Sequence, residues 1–461
     1  MNETNQMTQA QASSGRPAAA TLGTFIAQSR FAEVPATVTR EAKRSVLNFI
    51  GTCLGGRRDP SLPQLIEVLR PLSGKPEAVV IGQADRLDIL HAARVNAIAG
   101  NTLEFDDTHQ PTVIHPTAPV LPPILALADQ RQISGADLLQ AFALGVDVAC
   151  RVGNSVSPGH YARGWHITAT CGIFGSAAAS ARLLGLDAGQ IAHALGIAAS
   201  QASGIVENLP TGAKNVGIGN SASNGLLAAL LAAKGYTAAP RAIEGPLGFA
   251  KAAGDTADLN ELTGDLGTRW ELLRNTYKPY PCGVVLNSVI DATLELRGAQ
   301  GLSAEDVEQV TVRGNALLLA RADRPHVANE RDAKVSIQHS VAVALLYGAA
   351  GVTQYSEPIV SRADVTALRA KMKAELAADA KPLSAEVIVK TRQGRELRSH
   401  GLKPRGSLDN PMSDADIEAK VRDLAAFGGA GCDIERIIET AWKLETLADV
   451  RDFTRLLVAP R

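Results

Sequence analysis

Apolar residues recur with the spacing of an α-helix from about residue 36 to residue 250, and the pattern returns over roughly the last 45 residues. Thr39 can cap a helix that carries Ala42, Val46 and Ile50 on one face. The same spacing predicts further helices over residues 138–148, 172–184, 187–201 and 221–234. Because their faces are rich in Ala, Gly and Ser, we expect these helices to pack at short distances.

The pattern changes after residue 277, where strands alternate with helices. Residues 307–313 are typical of a strand, and residues 385–390 and 396–400 of a hairpin that turns at 392–394. A helix is predicted over 336–347, and Ser413 can cap another. This order predicts a mainly α protein, in which both chain ends form an all-helical domain and an α+β lid domain is inserted. The predicted boundaries are a disordered tail over 1–18, the helical domain over 19–276 and 408–461, and the lid over 277–407.

Charge and cysteine content narrow the choice of partners and compartment. The chain has 46 basic and 47 acidic residues and a net charge of −1, so it lacks the basic excess that binds nucleic acid or an anionic membrane. The five cysteines are scattered without a C-x-x-C pair, which disfavours a zinc site or a disulfide framework. We see no signal peptide and no apolar run long enough to span a bilayer. We therefore expect a cytoplasmic protein, and the charge balance still allows a small anionic partner, which needs only a few local Lys and His residues.

Residues 104–116, Glu-Phe-Asp-Asp-Thr-His-Gln-Pro-Thr-Val-Ile-His-Pro, hold the densest group of titratable side chains in the chain. Such groups are costly to bury unless they are paired. Pro116 favours an extended backbone at His115, so we expect a helix that ends near Asp107 and a loop that returns His115 over it. His115 could then move a proton next to a carboxylate, while Asp107 and Thr108 orient the substrate.

Two other interpretations of this segment stay open. It could be a polar helix end in which Asp and Thr side chains cap exposed backbone groups. A metal site is conceivable as well, although no other part of the chain offers matching ligands at a recognisable spacing. His109 is expected to be exposed, or to support the residues that contact the substrate.

Three further motifs place an imidazole or an ammonium group where an anion could bind. His166 follows Gly164-Trp165 at the predicted start of a helix, whose N-terminus attracts anions. Lys214 lies in a Gly-rich loop that leads into a helix, and Lys278 stands among prolines that restrict its backbone. The alternatives are an incidental histidine beside a packed tryptophan, an exposed loop lysine and a rigid hinge. Cys282 is expected to be a buried structural thiol.

Taken together, these motifs resemble the MmgE/PrpD family, which includes 2-methylcitrate dehydratase, cis-aconitate decarboxylase and iminodisuccinate epimerase. The resemblance runs from about residue 22 to the C-terminus. The matching segments are 104–108 with 115–116, 164–166, the loop around Lys214, 278–282, 333–338 and 406–412. The resemblance implies a helical domain with an inserted lid, a homodimer, and an active site in the cleft between domains that needs no metal or organic cofactor.

The resemblance also implies roles for particular residues. His115 and His166 would be the proton-transfer pair, with their order unassigned, and the adjacent acid Asp107 would join them as a catalytic residue. The residues implied to bind the substrate are Glu104, Thr108, Lys214 and Lys278.

The chain departs from the family pattern at three places. Relatives often carry histidine where this chain has Gly217 and Asn287, and the interval between His109 and His115 is one residue longer than in the decarboxylases.

The resemblance most simply implies a lyase, a dehydratase of the 2-methylcitrate dehydratase type, that acts on a small di- or tricarboxylate by acid–base elimination. The alternatives are an epimerase of an amino- or imino-dicarboxylate, a cis-aconitate-type decarboxylase and a non-catalytic carboxylate-binding protein.

Overall fold

The larger domain is built from helices that come from both ends of the chain. The computed structural model describes residues 16–209, 211–254 and 257–460. The main hydrophobic core of this domain extends from Ala18 to Tyr277 and resumes between Met412 and Leu457. The mainly α class and the inserted arrangement are therefore confirmed. Most of the predicted tail over 1–18 lies outside the described residues, and Ala18 already begins the first helix.

The helices are numbered here in chain order. The first part of the helical domain contains α1 (Ala18–Gln28), α2 (Ala36–Gly56), α3 (Ser61–Leu69), α4 (Ile89–Asn101), α5 (Thr117–Gln130), α6 (Gly135–Val156), α7 (Gly159–Ala162), α8 (Ile167–Leu183), α9 (Ala188–Ala199), α10 (Ala213–Ala233), α11 (Phe249–Ala253) and α12 (Asn260–Thr263). The lid contains α13 (Asn287–Gly298), α14 (Ala316–Ala322), α15 (Glu330–Ala333), α16 (Ile337–Tyr347), α17 (Glu357–Val360) and α18 (Ala363–Arg369). The C-terminal part contains α19 (Asp414–Gly428), α20 (Ile434–Trp442) and α21 (Arg451–Thr454).

Helices α6, α8 and α10 form the centre of the helical domain and pack closely, as their small residues predict. A Cβ atom on Gly145 of α6 would lie 2.7 Å from the carbonyl oxygen of Gly175 of α8, so the two backbones touch there. By length and composition, α10 is the one helix in the described part of the chain that could cross a membrane. However, 56% of its apolar window is buried inside the protein, as in the core helix of a globular domain.

The lid has its own hydrophobic core, which extends from Tyr280 to Val389 within the predicted range of 277–407. Its sheet has the order β6 (Met372–Leu376), β5 (Val307–Gly314), β7 (Ala385–Thr391) and β8 (Glu396–Gly401). Strands β7 and β8 form the predicted hairpin. Strand β6 was not predicted, and it pairs in parallel with β5. Helix α13 packs on β7 and β8, and α16 packs on α13.

Several helices begin earlier than the sequence pattern indicates. Helix α2 begins at Ala36 after Pro35, so Thr39 lies inside its first turns and does not cap it. Helix α10 begins at Ala213, so most of the predicted Gly-rich loop is helical. Glycine disfavours helix in isolation. Here close packing outweighs that preference, since a Cβ atom on Gly219 would lie 2.8 Å from the side chain of Ile98.

The helical domain also contains two small antiparallel strand pairs, so it is not purely helical. Strands β1 (Ala78–Val79) and β2 (Arg86–Leu87) form one, and β3 (Asp107–His109) and β4 (Asn275–Tyr277) form the other. The predicted helix ending near Asp107 is wrong, because α4 ends at Asn101 and Glu104 has a φ of 56°, which an α-helix cannot continue. Pairing of β3 with β4 brings residues 104–116 beside Lys278.

Candidate active site

His115 lies at the end of a loop that turns back over β3. The backbone N–H of His109 donates to the carbonyl oxygen of Ile114 at 2.7 Å and closes this loop. Nδ1 of His115 lies 2.7 Å from the carbonyl oxygen of Asp107, as the predicted return of His115 requires. Because a carbonyl oxygen can only accept, Nδ1 carries the proton in the neutral imidazole and Nε2 presents its lone pair.

The surroundings of His115 favour its neutral form. Burial lowers the pKa of the imidazole from its ordinary value of 6.5, and the charges of Lys278 and Lys214 act in the same direction. Asp106 opposes them, but the pKa remains lowered. The side chain keeps 13% of its surface exposed. At neutral pH, Nε2 is therefore an unprotonated base.

The backbone and the side chain of Asp107 have different partners. Its carbonyl oxygen contacts the imidazole of His115, whereas its carboxylate contacts two other residues. Its Oδ2 accepts from the hydroxyl group of Thr117 at 2.5 Å and from the amide group of Asn275 at 2.6 Å. Burial and the neighbouring charge of Asp106 raise the pKa of Asp107 to about 7. The structure thus brings Asp107 to the site, but it contacts His115 with its backbone carbonyl oxygen and not with its carboxylate.

Glu104 joins the two predicted lysines. The ammonium group of Lys214 donates to the Glu104 carboxylate, and Nζ of Lys278 lies 3.7 Å from its Oε2. The lysine side chains are only 4% and 7% exposed, respectively. Burial alone would raise the pKa of Glu104, but the two lysine charges outweigh burial and hold it well below its usual range. A substrate carboxylate that reached this place would meet the same two cations.

His166 stands at the N-terminus of α8, as the sequence predicted. Its imidazole is buried and makes no hydrogen bond with any residue in the described ranges. Burial lowers its pKa to about 3, and the nearby charges of Lys214 and His115 contribute. The adjacent Trp165 stacks on His160, with 6.0 Å between ring centroids. His166 is therefore a second neutral imidazole in the same cluster.

Thr108 and Asp106 complete the surroundings of Nδ1 of His115. The hydroxyl oxygen of Thr108 lies 3.3 Å from Nδ1, and Oδ1 of Asp106 lies 3.5 Å from it. Asp106 is fully buried, and Lys278 lies 4.0 Å away from it. The sequence pattern did not single out Asp106, although its place beside Asp107 was a signal. Its negative charge would stabilise His115 once that imidazole has taken a proton.

Two other residues from the sequence motifs have structural roles. Of the two alternatives for His109, exposure is wrong, because its imidazole is fully buried between Glu271 at 3.0 Å and Thr112 at 2.7 Å. Support of the residues that contact the substrate stays a prediction. Cys282 is buried as predicted. Burial raises the pKa of its thiol to about 12, so a thiolate nucleophile is not available there at neutral pH.

Lys420 of α19 supports the site from behind, and nothing in the sequence pointed to it. Its ammonium group is buried and donates to Oδ1 of Asn48 at 2.7 Å, to the carbonyl oxygen of Phe105 at 2.6 Å and to that of Lys278 at 2.9 Å. It also lies over the ring of Phe105, 3.8 Å from the centroid. Lys420 thereby ties the backbones that carry Glu104 and Lys278 to the C-terminal helices.

Lys420→Met is expected to lower the free energy of unfolding by about 3 kcal/mol, because three buried acceptors lose their donor. Urea denaturation followed by circular dichroism measures this change. Lys443→Met is the matched control, since Lys443 is 65% exposed and its ammonium group forms a surface ion pair with Glu439. It should shift stability by less than about 0.5 kcal/mol. Equal stability of the two variants would contradict the role given to Lys420.

The two positions that lack the family histidines lie near this cluster. Gly217 follows Lys214 on α10, and a Cβ atom there would lie 3.3 Å from the Cβ of Ala169. Asn287 is buried at the start of α13, where it faces the cleft between the domains together with Lys278.

The fold and the cluster define a class of protein: a two-domain, mainly α enzyme with acid–base groups and lysine cations at the junction of its domains. The chain belongs to the MmgE/PrpD family. The family's N-terminal domain matches residues 20–262 and its C-terminal domain matches residues 280–445.

Curated relatives agree with this assignment over nearly the whole chain. Cis-aconitate decarboxylase of Mus musculus is 28% identical over 92% of this chain and 90% of its own length. The human protein of the same name is 29% identical over 92% of this chain and 91% of its length, and that of Aspergillus terreus is 28% identical over 93% of each. These relatives support an enzyme of the lyase type that acts on a carboxylate by acid–base chemistry.

Proposed function

We propose that the protein is a hydro-lyase that removes water from a small di- or tricarboxylate. The observation that carries this proposal is the state of His115. Its Nδ1–H is anchored to the carbonyl oxygen of Asp107, and its Nε2 is unprotonated beside two lysines. A neutral imidazole begins by removing a proton, which is the first step of an elimination.

In the proposed reaction, Nε2 of His115 takes the proton from a carbon next to a substrate carboxylate. Lys214 and Lys278 bind the substrate carboxylates and stabilise the negative charge that develops on that carbon. The C–O bond then breaks, a C=C bond forms, and the hydroxide leaves as water with a proton from an imidazolium group. His166 is neutral at this site, so in this step it relays to the leaving hydroxide the proton that His115 has taken, and Asp106 stabilises His115 in its protonated state.

Decarboxylation of an unsaturated tricarboxylate is the second candidate, because the named relatives are cis-aconitate decarboxylases. In that reaction the bond to a carboxylate breaks, CO₂ leaves, and the remaining carbanion takes a proton. The same lysines would stabilise the carbanion. An imidazolium would have to deliver the proton, so substrate binding would first have to raise the lowered pKa of His115 or His166.

One NMR experiment separates these reactions. Hydroxylated, unsaturated and amino-substituted di- and tricarboxylates are incubated with the protein in deuterated buffer, with and without a chelator. Dehydration yields an alkene, decarboxylation yields CO₂ and a product one carbon shorter, and epimerisation yields deuterium exchange without loss of a group. Ligand-induced stabilisation without turnover or exchange of any compound would show a non-catalytic binding protein and overturn the proposal.

The pH dependence of kcat/KM tests the base directly. His115 acts as a base only when neutral, which is the form present above its pKa. Because burial lowers this pKa from 6.5, kcat/KM should stay level from about pH 8 down to 6.5 and fall only at lower pH. Asp107 is the other group that titrates near neutrality, so the profile is repeated with Asp107→Asn. An acid limb with its midpoint above pH 6.5 in that variant would contradict the assignment of His115.

A further inference from the structure

The chain passes from the helical domain to the lid at Lys278. Tyr277, directly before it, belongs to the hydrophobic core of the helical domain, whereas Tyr280, two residues after it, belongs to the core of the lid. The two tyrosines are 3% and 5% exposed, respectively. Between them, the ammonium group of Lys278 donates to the carbonyl oxygen of Glu104 at 3.0 Å. Lys278 therefore lies on the boundary between two separately packed cores.

The phenol group of Tyr277 fixes the first side of Lys278 to helix α2. Its hydroxyl group donates to Oε1 of Glu41 at 2.5 Å and lies 2.8 Å from the hydroxyl oxygen of Ser45. Because a phenol has one proton and the Glu41 carboxylate can only accept, Ser45 donates to Tyr277. The guanidinium group of Arg44 lies over the phenol ring, 5.3 Å from its centroid. Four groups of two neighbouring elements thus hold the residue before Lys278.

Helix α2 holds strand β4 at a second point. The hydroxyl oxygen of Ser45 accepts from the amide group of Asn275 at 3.3 Å, and the same amide group donates to Asp107. Asn275 and Tyr277 lie two residues apart on β4 and therefore on the same face of the strand. Since β4 leads directly into Lys278, this network sets the direction in which the chain reaches the lysine.

The phenol group of Tyr280 fixes the other side of Lys278 to the lid. Its hydroxyl group donates to Oδ1 of Asp291 on helix α13 at 2.7 Å. The other oxygen of Asp291 accepts from the backbone N–H of Arg405, also at 2.7 Å, where the chain returns from the lid to the helical domain. Asp291 therefore joins the two chain segments that connect the domains.

We infer that Tyr277 and Tyr280 are positioning residues for Lys278, because each hydroxyl group anchors one side of the lysine backbone to a different domain. Together they place the ammonium group where a substrate carboxylate would bind. Pro279 restricts the backbone between Lys278 and Tyr280, so the anchor at Tyr280 is transmitted to the lysine. The inference rests on the proposed function only for the binding of a carboxylate by Lys278, and it does not depend on which bond the enzyme breaks.

Binding of succinate, an inert dicarboxylate, tests the inference without turnover. Calorimetry should show that Lys278→Met raises Kd by roughly 30-fold, because a charge-assisted hydrogen bond is lost. Tyr277→Phe and Tyr280→Phe should each raise Kd by about fivefold, since a hydroxyl group can hold the lysine with no more than the energy of its hydrogen bond. Tyr236→Phe is the matched control, because Tyr236 is 63% exposed, and it should leave Kd unchanged.

Double-mutant cycles distinguish positioning of Lys278 from a general loss of structure. In the Lys278→Met background, Tyr277→Phe and Tyr280→Phe should each change Kd by less than about twofold, because the group that they position is gone. Equal effects of the tyrosine variants in both backgrounds would overturn the inference, since the hydroxyl groups would then only stabilise the fold.

Two substitutions of Glu41 repeat the test with both tyrosines intact. Glu41→Gln keeps an acceptor for the Tyr277 hydroxyl group, so Kd should stay near that of the unchanged protein. Glu41→Ala removes this acceptor and should raise Kd as much as Tyr277→Phe does. Both variants remove the same charge beside Arg44, so their difference isolates the hydrogen bond. Equal Kd values for the two variants would contradict the anchor at Tyr277.

Turnover is measured separately with the panel of carboxylates. If the cycles show coupling but no carboxylate is turned over, the proposed function fails and the positioning of Lys278 stands. If a carboxylate is turned over but the cycles are additive, the proposed function stands and the positioning role is wrong. A Kd for succinate that Lys278→Met leaves unchanged would also overturn the inference, because the lysine would then have no carboxylate to bind.

Discussion

Lys214→Met is expected to lower kcat/KM for the carboxylate substrate by about 10²–10³-fold. The Lys214 side chain is only 4% exposed, so its charge acts on a bound carboxylate with little screening by water. Without it, Lys278 alone would have to balance both Glu104 and the substrate. Steady-state kinetics with the substrate from the NMR panel measures the loss. We expect KM to rise and kcat to fall, because in the proposed reaction Lys214 binds the ground state and also stabilises the carbanion.

The matched control is Lys234→Met. Lys234 is an exposed residue directly after Ala233, the last residue of the same helix α10. It removes an equal charge far along the helix and should leave both kinetic constants unchanged. His166→Ala is measured in the same series. If Lys214→Met and His166→Ala both retained full turnover, the active site assigned here would be wrong.

The sequence was most informative where the site is local. Glu104, Thr108 and His115 lie within twelve positions, so the density of titratable groups pointed to them before any fold was known. Assigning Lys214 and His166 to the site required the family resemblance. A glycine-rich segment or a helix start does not by itself show which part of the protein its side chains face. Lys420 was missed for a different reason. Its partners Asn48, Phe105 and Lys278 are at least 142 residues away in sequence, and only the packed helices bring them together.

The errors in secondary structure also have physical causes. Strand β3 was taken for a helix end because its three residues contain no apolar alternation, and its partner β4 is more than 160 residues away. Strand β6, Met-Lys-Ala-Glu-Leu, lies at the edge of the sheet, and none of its residues is fully buried. A strand of this kind has a weak hydrophobic signal. The β7–β8 hairpin was predicted well, since its turn and its register are both local.

His115→Gln is expected to lower kcat by about 10²–10⁴-fold with a smaller change in KM. Glutamine can still donate a hydrogen bond to the carbonyl oxygen of Asp107, so the loop should keep its shape. What it cannot do is take a proton from carbon. The decisive measurement is therefore exchange of the substrate α-proton with deuterated solvent, which reports proton removal even when no product is released.

His400→Gln provides the matched control, because His400 lies on strand β8 of the lid and is 57% exposed. Both kcat and the exchange rate should be unchanged in that variant. His166→Gln distinguishes the two imidazoles. If His115 is the base and His166 serves the leaving group, His166→Gln should slow product formation more than α-proton exchange, whereas His115→Gln should suppress both. If α-proton exchange were normal in His115→Gln but lost in His166→Gln, His166 would be the base and the two assignments would be reversed. The hydrogen bond from Nδ1–H of His115 to Asp107 would then have a structural role only.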